Sequence, residues 1–449
     1  MFVADDAWGT VGRPMATMLT SPLHARLTGQ AARRGLIPRI PSADALLADV
    51  ETWLRSTFPE AVRSIERPVR EQGEAELTVE LHPAAPSLVI TASDTGRVAV
   101  TATTEVAGPG YHRFVGRVLE RLGMDLAIAW ERGAEESRDP LMDSTAVTFA
   151  ERPAAEHGYL TWLGRSLVEA RARRASGGRP IPIGLPADVR YHLDGAIHTA
   201  LGPRDLAWLD VAVTDTRIAT DVTPWWADAT DGKYLLNRAL CLMWTDVRWR
   251  TPAMKTERLL FDEIHRLLSK AYPHDPGLDY PWKAWAELVD LAGIDDPMAA
   301  QVRNRARSAP DEPPIGYRRA PVTIRHEGWV LEIPGSFAER RTSEEWWGGG
   351  AGQDITLAAV ATGTAAGPMA GPSFIQQFGG DLGPDAIDHR ADGVVGRAKI
   401  DTDASSGVEV CILEGYSAVV GSGAAIRIVF EDPADWQWAL DIWRSLKPG

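Results

Sequence analysis

The hydrophobic period switches between helical and extended more than once along this chain, and that switching most limits what it folds into. Ser42 is a good helix N-cap, and Leu46, Leu47, Val50, Trp53 and Leu54 follow it as one helical stripe. Residues 76–81, 88–92 and 97–103 then read as strands, the last two joined by a hairpin turn at Ser93-Asp-Thr-Gly96. A helix is expected at 111–122, where Phe114, Val115, Val118, Leu119 and Leu122 share a face and Gly123 stops it; a strand follows from Asp125 to Trp130. The next stretch is helical, with segments near 157–174, 188–200, 203–213, 232–247, 256–272 and 281–293. Strands return at 321–326, 329–333, 354–361, 394–401, 408–419 and 425–430, before a closing helix with Trp436, Leu440 and Trp443 on one face.

This order implies an α+β multi-domain protein. It comprises a small α+β N-terminal domain (1–150), a helical middle (151–301), a linker (302–316) and a C-terminal antiparallel-sheet α/β sandwich (317–449). The linker expectation rests on the three prolines of Val302–Gly316 and on its lack of an apolar face. Residues 1–40 are punctuated by glycine and proline, so short irregular pieces are expected there.

Charge narrows the function classes. Against 61 acidic residues stand 47 basic ones, a net charge of −14 that repels phosphate backbones and anionic lipid heads. Nucleic acid and membrane are therefore not expected as partners. The basic clusters Arg171, Arg173 and Arg174, at a helix end, and Arg303, Arg305 and Arg307, in the linker, read as solvated charge. Cys241 and Cys411 lie in separate segments and apolar surroundings, which suits buried thiols and not a disulfide framework. The N-terminus has no basic stretch and no apolar core of a signal peptide, and no run reaches the length of a membrane span, so a cytoplasmic location is expected. The abundance of Ala, Arg and Gly suits a high-GC bacterial genome.

Two stretches resemble known families. Leu268-Ser-Lys-Ala-Tyr-Pro-His-Asp-Pro276, with Trp282, Trp285, Ala286 and Leu288 after it, is similar to one tetratricopeptide-type helix pair over about residues 260–293; a solenoid would need roughly three copies. Gly328-Trp-Val-Leu-Glu-Ile-Pro-Gly-Ser-Phe337, together with Ile426-Arg-Ile-Val-Phe430 running into a helix that ends Trp443-Arg-Ser-Leu446, resembles the Mog1/PsbP-like α/β sandwich. That resemblance implies a binding module, by analogy of fold. The glycine-rich insertion at 348–352 and the Gly/Pro stretch at 363–372 depart from it.

Candidate chemistry is sparse. Gly108-Pro-Gly-Tyr-His112 stands between a strand and a helix, where glycines admit a ligand and helix-start N–H groups favour an anion. Gly108, Gly110, Tyr111 and His112 are thus one candidate ligand site, with His112 as a possible acid or base; the same turn also suits a plain strand-to-helix connection. His192, Asp194 and His198 are close in sequence, but on a helix a spacing of six does not put two histidines on one face, so no metal is expected. Asp262, Glu263 and His265 read as the solvated side of their helix, and Gly348–Gly352 as a flexible loop. No Walker A, H-E-x-x-H or G-x-S-x-G pattern occurs, and no cofactor is expected.

Tryptophan, at 17 residues, outnumbers tyrosine at 8 and phenylalanine at 9, which points to bulky core anchors or apolar binding surfaces. Trp282 and Trp285 share a helix face and read as core; Trp225-Trp226 and Trp346-Trp347 are loop-like candidates for partner anchors. Two functions follow as expectations. The first is a non-enzymatic interaction or adaptor protein with a protein partner; the alternative is an enzyme with a site near His112 or His192/Asp194/His198.

Overall fold

A computed structural model describes residues 24–32, 40–68, 74–131, 152–176, 182–185, 189–193, 195–227, 229–342, 344–350, 352–361, 363–364, 367–404 and 409–449. The protein is a multi-domain α+β fold. Its N-terminal part is a six-stranded antiparallel sheet, β1 (His24–Ala31), β2 (Ser64–Glu66), β3 (Glu74–Glu80), β4 (Leu88–Ser93), β5 (Arg97–Thr103) and β6 (Ile128–Trp130), in the order β2-β3-β4-β5-β1-β6. Helices α1 (Ala43–Thr57) and α2 (Pro109–Leu126) accompany it. Ser42 caps α1 by accepting from the Ala45 N–H at 3.3 Å, and the whole expected stripe from Leu46 to Leu54 is buried.

Strand β1 corrects the expectation of irregular structure before residue 40; the expectation's other positions, 1–23 and 33–39, lie outside the described residues. Its inward positions are Leu27, Gly29 and Ala31, small enough that no apolar stripe shows. Gly29 is required there, since a Cβ would lie 2.6 Å from the Trp130 ring. The strand expected from Asp125 starts later because α2 runs to Leu126, where Ala127 turns left-handed at φ 54°. Asp125 is held on the helix by Trp53 Nε1 and Arg121 Nε, at 3.0 and 2.8 Å.

The middle contains α3 (Arg152–Ala175), short strands β7 (Val189–Tyr191), β8 (Ile197–Thr199) and β9 (Gly202–Arg204), then α4 (Leu206–Thr214), α5 (Gly232–Thr245), α6 (Lys255–His274), α7 (Trp282–Ala292) and α8 (Pro297–Ser308). The helix expected at 188–200 is replaced by strands β7 and β8; Gly195, at φ +73°, adopts a conformation that no helix continues through. The expected linker begins inside α8, where Val302 and Ala299 are fully buried. One buried alanine and one buried valine in twelve residues are too few for the period to register. Arg303 and Arg305 sit on that helix, bonded to Asp290 at 2.7 Å and to the Tyr272 hydroxyl at 2.9 Å. Helices α5 to α8 and the N-terminal sheet bury one continuous apolar cluster, from Leu27 to Val302.

The C-terminal part carries β10 (Val322–His326), β11 (Trp329–Ile333), β12 (Ala338–Arg341), β13 (Glu345–Gly350), β14 (Gln353–Ala361), a ribbon of β15 (Gly363–Thr364) and β16 (Gly367–Pro368), α9 (Gly371–Phe378), β17 (Ile387–Ala391), β18 (Val394–Asp403), β19 (Val410–Val419), β20 (Ser422–Phe430), α10 (Trp436–Ser445) and β21 (Lys447–Pro448). Seven strands form an antiparallel sheet in the order β12-β13-β14-β20-β19-β18-β17. A second sheet, β21-β11-β10-β7, takes one strand from the middle of the chain. Gly348–Gly350 belong to β13 and are not a loop: a Cβ on Gly348 would lie 2.3 Å from the Trp346 indole, so glycine makes room for that ring. On α10, Leu440 and Trp443 are buried with Ala439 and Ile442, whereas Trp436 is 50% exposed.

Candidate functional site

The turn at Gly108–His112 is filled by the chain itself. Gly108 has φ +111°, and a Cβ on it would stand 2.4 Å from Thr223 and 2.6 Å from the Trp225 carbonyl. A Cβ on Gly110 would meet the Ala227 carbonyl at 2.3 Å. Gly110 N–H donates to the Trp225 carbonyl at 3.1 Å, and Trp225 N–H to the Ala107 carbonyl at 2.8 Å. The glycines thus admit residues 223–227 at the start of α2, the place of the candidate ligand site, and the turn is the strand-to-helix connection that its sequence also suits. His112 is 6% exposed, with Nδ1 2.8 Å from the Thr104 hydroxyl. Burial lowers its pKa to about 4, so its ring is neutral near pH 7.

Tyr111 and Trp225, separate candidates in the sequence, meet in the core with ring centroids 5.9 Å apart. Trp225 is 1% exposed and also packs on Tyr234 at 4.2 Å and Phe114 at 5.0 Å. Trp346 is fully buried, and its Nε1 donates to Glu339 at 3.2 Å. Neither ring is a surface anchor. Their neighbours are half-buried: Trp226 stands edge-on to Tyr159 at 5.8 Å, and Trp347 lies 5.8 Å from the Arg340 guanidinium.

The histidines of the middle segment are spent on separate contacts. A ring nitrogen of His192 is 2.7 Å from the Thr323 hydroxyl, on β10. His198 lies on β8, with Nε2 3.2 Å from the Leu193 carbonyl and its ring edge-on to Tyr317 at 5.2 Å. Burial lowers its pKa. Asp194 lies outside the described residues. Among the described residues no three His, Cys, Asp or Glu side chains gather as metal ligands would.

Two polar centres escape sequence reading. The first surrounds His82, which is fully buried among Tyr111, Trp225 and Tyr234, its Nδ1 accepting from the Ala84 N–H at 3.1 Å. Burial, then Arg238 and Arg63, push its pKa well down. Beside it Arg238 donates to the Tyr234 hydroxyl at 3.1 Å and to Glu263 at 3.0 Å, while Arg63 pairs with Glu80 and Glu263. Glu263 is therefore an ion-pair centre and not a solvated residue. His265 also leaves the solvated class: its Nδ1 accepts from Trp285 Nε1 and its Nε2 bonds Asp296, both at 3.0 Å, tying α6 to α7 and to the N-cap of α8. The second centre joins the helical middle to the C-terminal sheet. Glu339 receives Arg318 at 2.7 Å and Arg248 at 3.2 Å, and Arg250 clasps Glu257 at 2.8 and 3.0 Å while donating to the Ser336 carbonyl at 2.7 Å. No periodic signal marks these groups, because the pairs that join separate segments, such as Arg63 with Glu263 and Arg248 and Arg318 with Glu339, bring together residues far apart in sequence.

At the surface, an open groove runs along α3. Leu160, Gly164 and Val168, four residues apart, form its floor; Thr161, Arg165, Glu169 and Thr216 complete it. Gly164 lets the turn after α4 approach, since a Cβ there would lie 3.2 Å from the Thr216 hydroxyl. Val168 is 49% exposed, Ile218 43%, and Val211 on the neighbouring α4 50%. Arg165 and Glu169 give the apolar floor a rim of both charge signs.

No known family profile matches the chain, and no curated protein matches it. A solved structure from Bacteroides thetaiotaomicron VPI-5482 aligns over 27% of this chain at 8% identity and a TM-score of 0.23; the chain spans 45% of that structure's length. Among the described residues no helix is long and apolar enough to cross a membrane.

Proposed function

We propose that the protein is a non-enzymatic interaction or adaptor protein of the cytoplasm, which takes a protein partner on the apolar groove of α3. The observation that carries this reading is the open groove of α3, lined by Leu160, Gly164 and Val168 with Val168 49% exposed, and the further exposed apolar side chains Val211 on α4 and Ile218 two residues after the lining residue Thr216. Soluble surfaces seldom group large apolar side chains unless another molecule covers them. An i, i+4, i+8 floor with a charged rim suits the apolar stripe of a partner helix. His112, His192 and His198, each bonded to a separate hydroxyl or carbonyl, agree with scaffolding better than with acid–base chemistry, and both cysteines are free buried thiols, as a reducing compartment favours. The fold resemblance of the C-terminal sandwich to binding modules points the same way, by analogy.

The test is a photo-crosslinking amino acid placed at Val168, with exposed Leu259 on α6 as the control position. A discrete adduct from cells at 168, absent at 259 and lost when Ile218→Asp is added, is expected. Equal labelling at both positions, or an adduct indifferent to Ile218→Asp, would remove the groove from consideration.

A further inference from the structure

We propose that β17 pairs with β17 of a second copy of this chain, joining two seven-stranded sheets across a two-fold axis at His389. Strand β17 ends the sheet: it pairs with β18 on one side, and among the described residues no strand lies beyond it. The hairpin to β18 turns on Asp392 and Gly393 alone, with φ of +52° and +81°. A two-residue turn of this kind makes its flanking residues, Ala391 and Val394, a hydrogen-bonded pair. Ile387, His389 and Ala391 therefore direct their backbone groups to β18, and Asp388 and Arg390 direct theirs outward.

That geometry leaves few registers for an added antiparallel copy, because outward-directed residues must face outward-directed residues. Pairing Asp388 with Asp388 of the second copy, or Arg390 with Arg390, sets like charges opposite each other. Pairing Asp388 with Arg390 sets opposite charges together twice, by symmetry, and exchanges four backbone hydrogen bonds. Both side chains are exposed, Asp388 by 72%, and both lie on one face, opposite Arg397 and Val395 of β18. The Asp388–Arg397 contact, at 3.8 Å, is loose enough for Asp388 to take a second partner. Sheet edges are usually blunted by charge of one sign or by proline; Ile-Asp-His-Arg-Ala is instead complementary to itself. Its centre, His389 facing His389, is a non-hydrogen-bonded pair with Cα atoms about 4.5 Å apart. This surface is separate from the α3 groove, and its test does not depend on that reading.

A seam of one short strand on each side is small, so the dimer should be weak, forming at about 100 µM chain and dissociating near about 1 µM. Sedimentation velocity of the full chain over that range is the first measurement. Arg390→Asp should weaken association by roughly tenfold or more, since two attractive cross-strand pairs become repulsive. The charge-swapped double variant Asp388→Arg/Arg390→Asp should restore it. Arg390→Pro, which removes only an outward N–H, should weaken it too. His389→Cys should give a reducible covalent dimer under mild oxidation, because that separation fits a disulfide; Cys241 and Cys411 are buried, so the wild-type chain serves as the control. A chain that stays monomeric at about 100 µM, a dimer unaffected by Arg390→Asp, or a double variant that fails to recover association would each overturn the proposal. Circular dichroism melts of every variant confirm that loss of association is not loss of fold.

Discussion

Trp443→Ala should open the C-terminal sheet. Trp443 is 1% exposed and packs against two glycines: a Cβ on Gly396 would come within 2.9 Å of its ring, and one on Gly415 within 2.8 Å. Truncating a buried tryptophan costs about 3–5 kcal/mol, and the upper end applies where neighbours cannot collapse into the space. Glycines on adjacent strands have no side chains to move in, so the gross cost is about 5 kcal/mol. The indole N–H has no hydrogen-bond partner among the described residues, and removing it returns about 1 kcal/mol. The net is about 4 kcal/mol, which corresponds to a fall of roughly a thousandfold in the protection of amide hydrogens. Hydrogen-exchange mass spectrometry on peptides from β18, β19 and β20 of the full chain reads this directly, with α1 and β3 peptides as the internal reference. Trp443→Phe, which keeps most of the ring without the N–H, should lose far less. A change under about tenfold for Trp443→Ala would show that the glycine sockets are not what holds the sheet to α10.

Two further outcomes concern buried charge. Burial would raise the Glu339 carboxyl, but Arg318 and Arg248 outweigh it and hold its pKa below the ordinary glutamate range. The stability it contributes is therefore present above its unfolded pKa and is lost as pH falls through the lower folded value. Glu339→Gln should cost about 3 kcal/mol near pH 7, by leaving two buried guanidinium groups unmatched, and should flatten the acid limb of a urea-stability profile; an unchanged acid limb would refute the assignment. His112 behaves oppositely to a paired histidine. Its folded pKa of about 4 lies below the unfolded value near 6.5, so the unfolded chain binds the proton first and stability declines as pH drops from about 6.5 to 4. The window is worth about 3 kcal/mol, and His112→Asn should remove that part of the slope while keeping a polar group towards Thr104; an unaltered slope would mean the ring is more hydrated than its burial implies.

Legibility in the sequence followed the source of each signal. Elements that carry their own apolar stripe, such as α1 from Leu46 to Leu54 and α6 from Ile264 to Ala271, read correctly because one face repeats over several turns. Strands β12 and β13 did not, since Ala338-Glu-Arg-Arg341 is mostly charged and Glu345–Gly350 is half glycine; they exist because β14 supplies their partner and Trp346 needs glycine beside it. Strand β1 failed in the same way. At the candidate sites, the glycines of Gly108–Gly110 were identified as places of close backbone approach, which they are. What approaches is residues 223–227, more than a hundred positions away, and no local pattern carries that information.

The tie between the helical middle and the C-terminal sheet shows why domain reading was hardest. Its apolar share is scattered: Tyr191 stacks on Tyr317 at 4.7 Å and Trp244 lies 5.0 Å from the same ring, single residues that make no stripe in any segment. Its polar share is Arg248, Arg250, Arg318, Glu257 and Glu339, each of which looks like ordinary surface charge in a sequence. Buried charge of this kind adds little net stability, because desolvation offsets the attraction, but a mismatch is costly. Arg248 donates to the Phe337 carbonyl and Arg318 to the Thr245 carbonyl, so each side reads the other's backbone as well as its charge. Strand β7 adds a short antiparallel pairing to β10 across the same division. The charged contacts therefore fix how the two parts meet more than how strongly, which is what a scaffold needs if the α3 groove and the β17 edge are to present their partners in a constant relation.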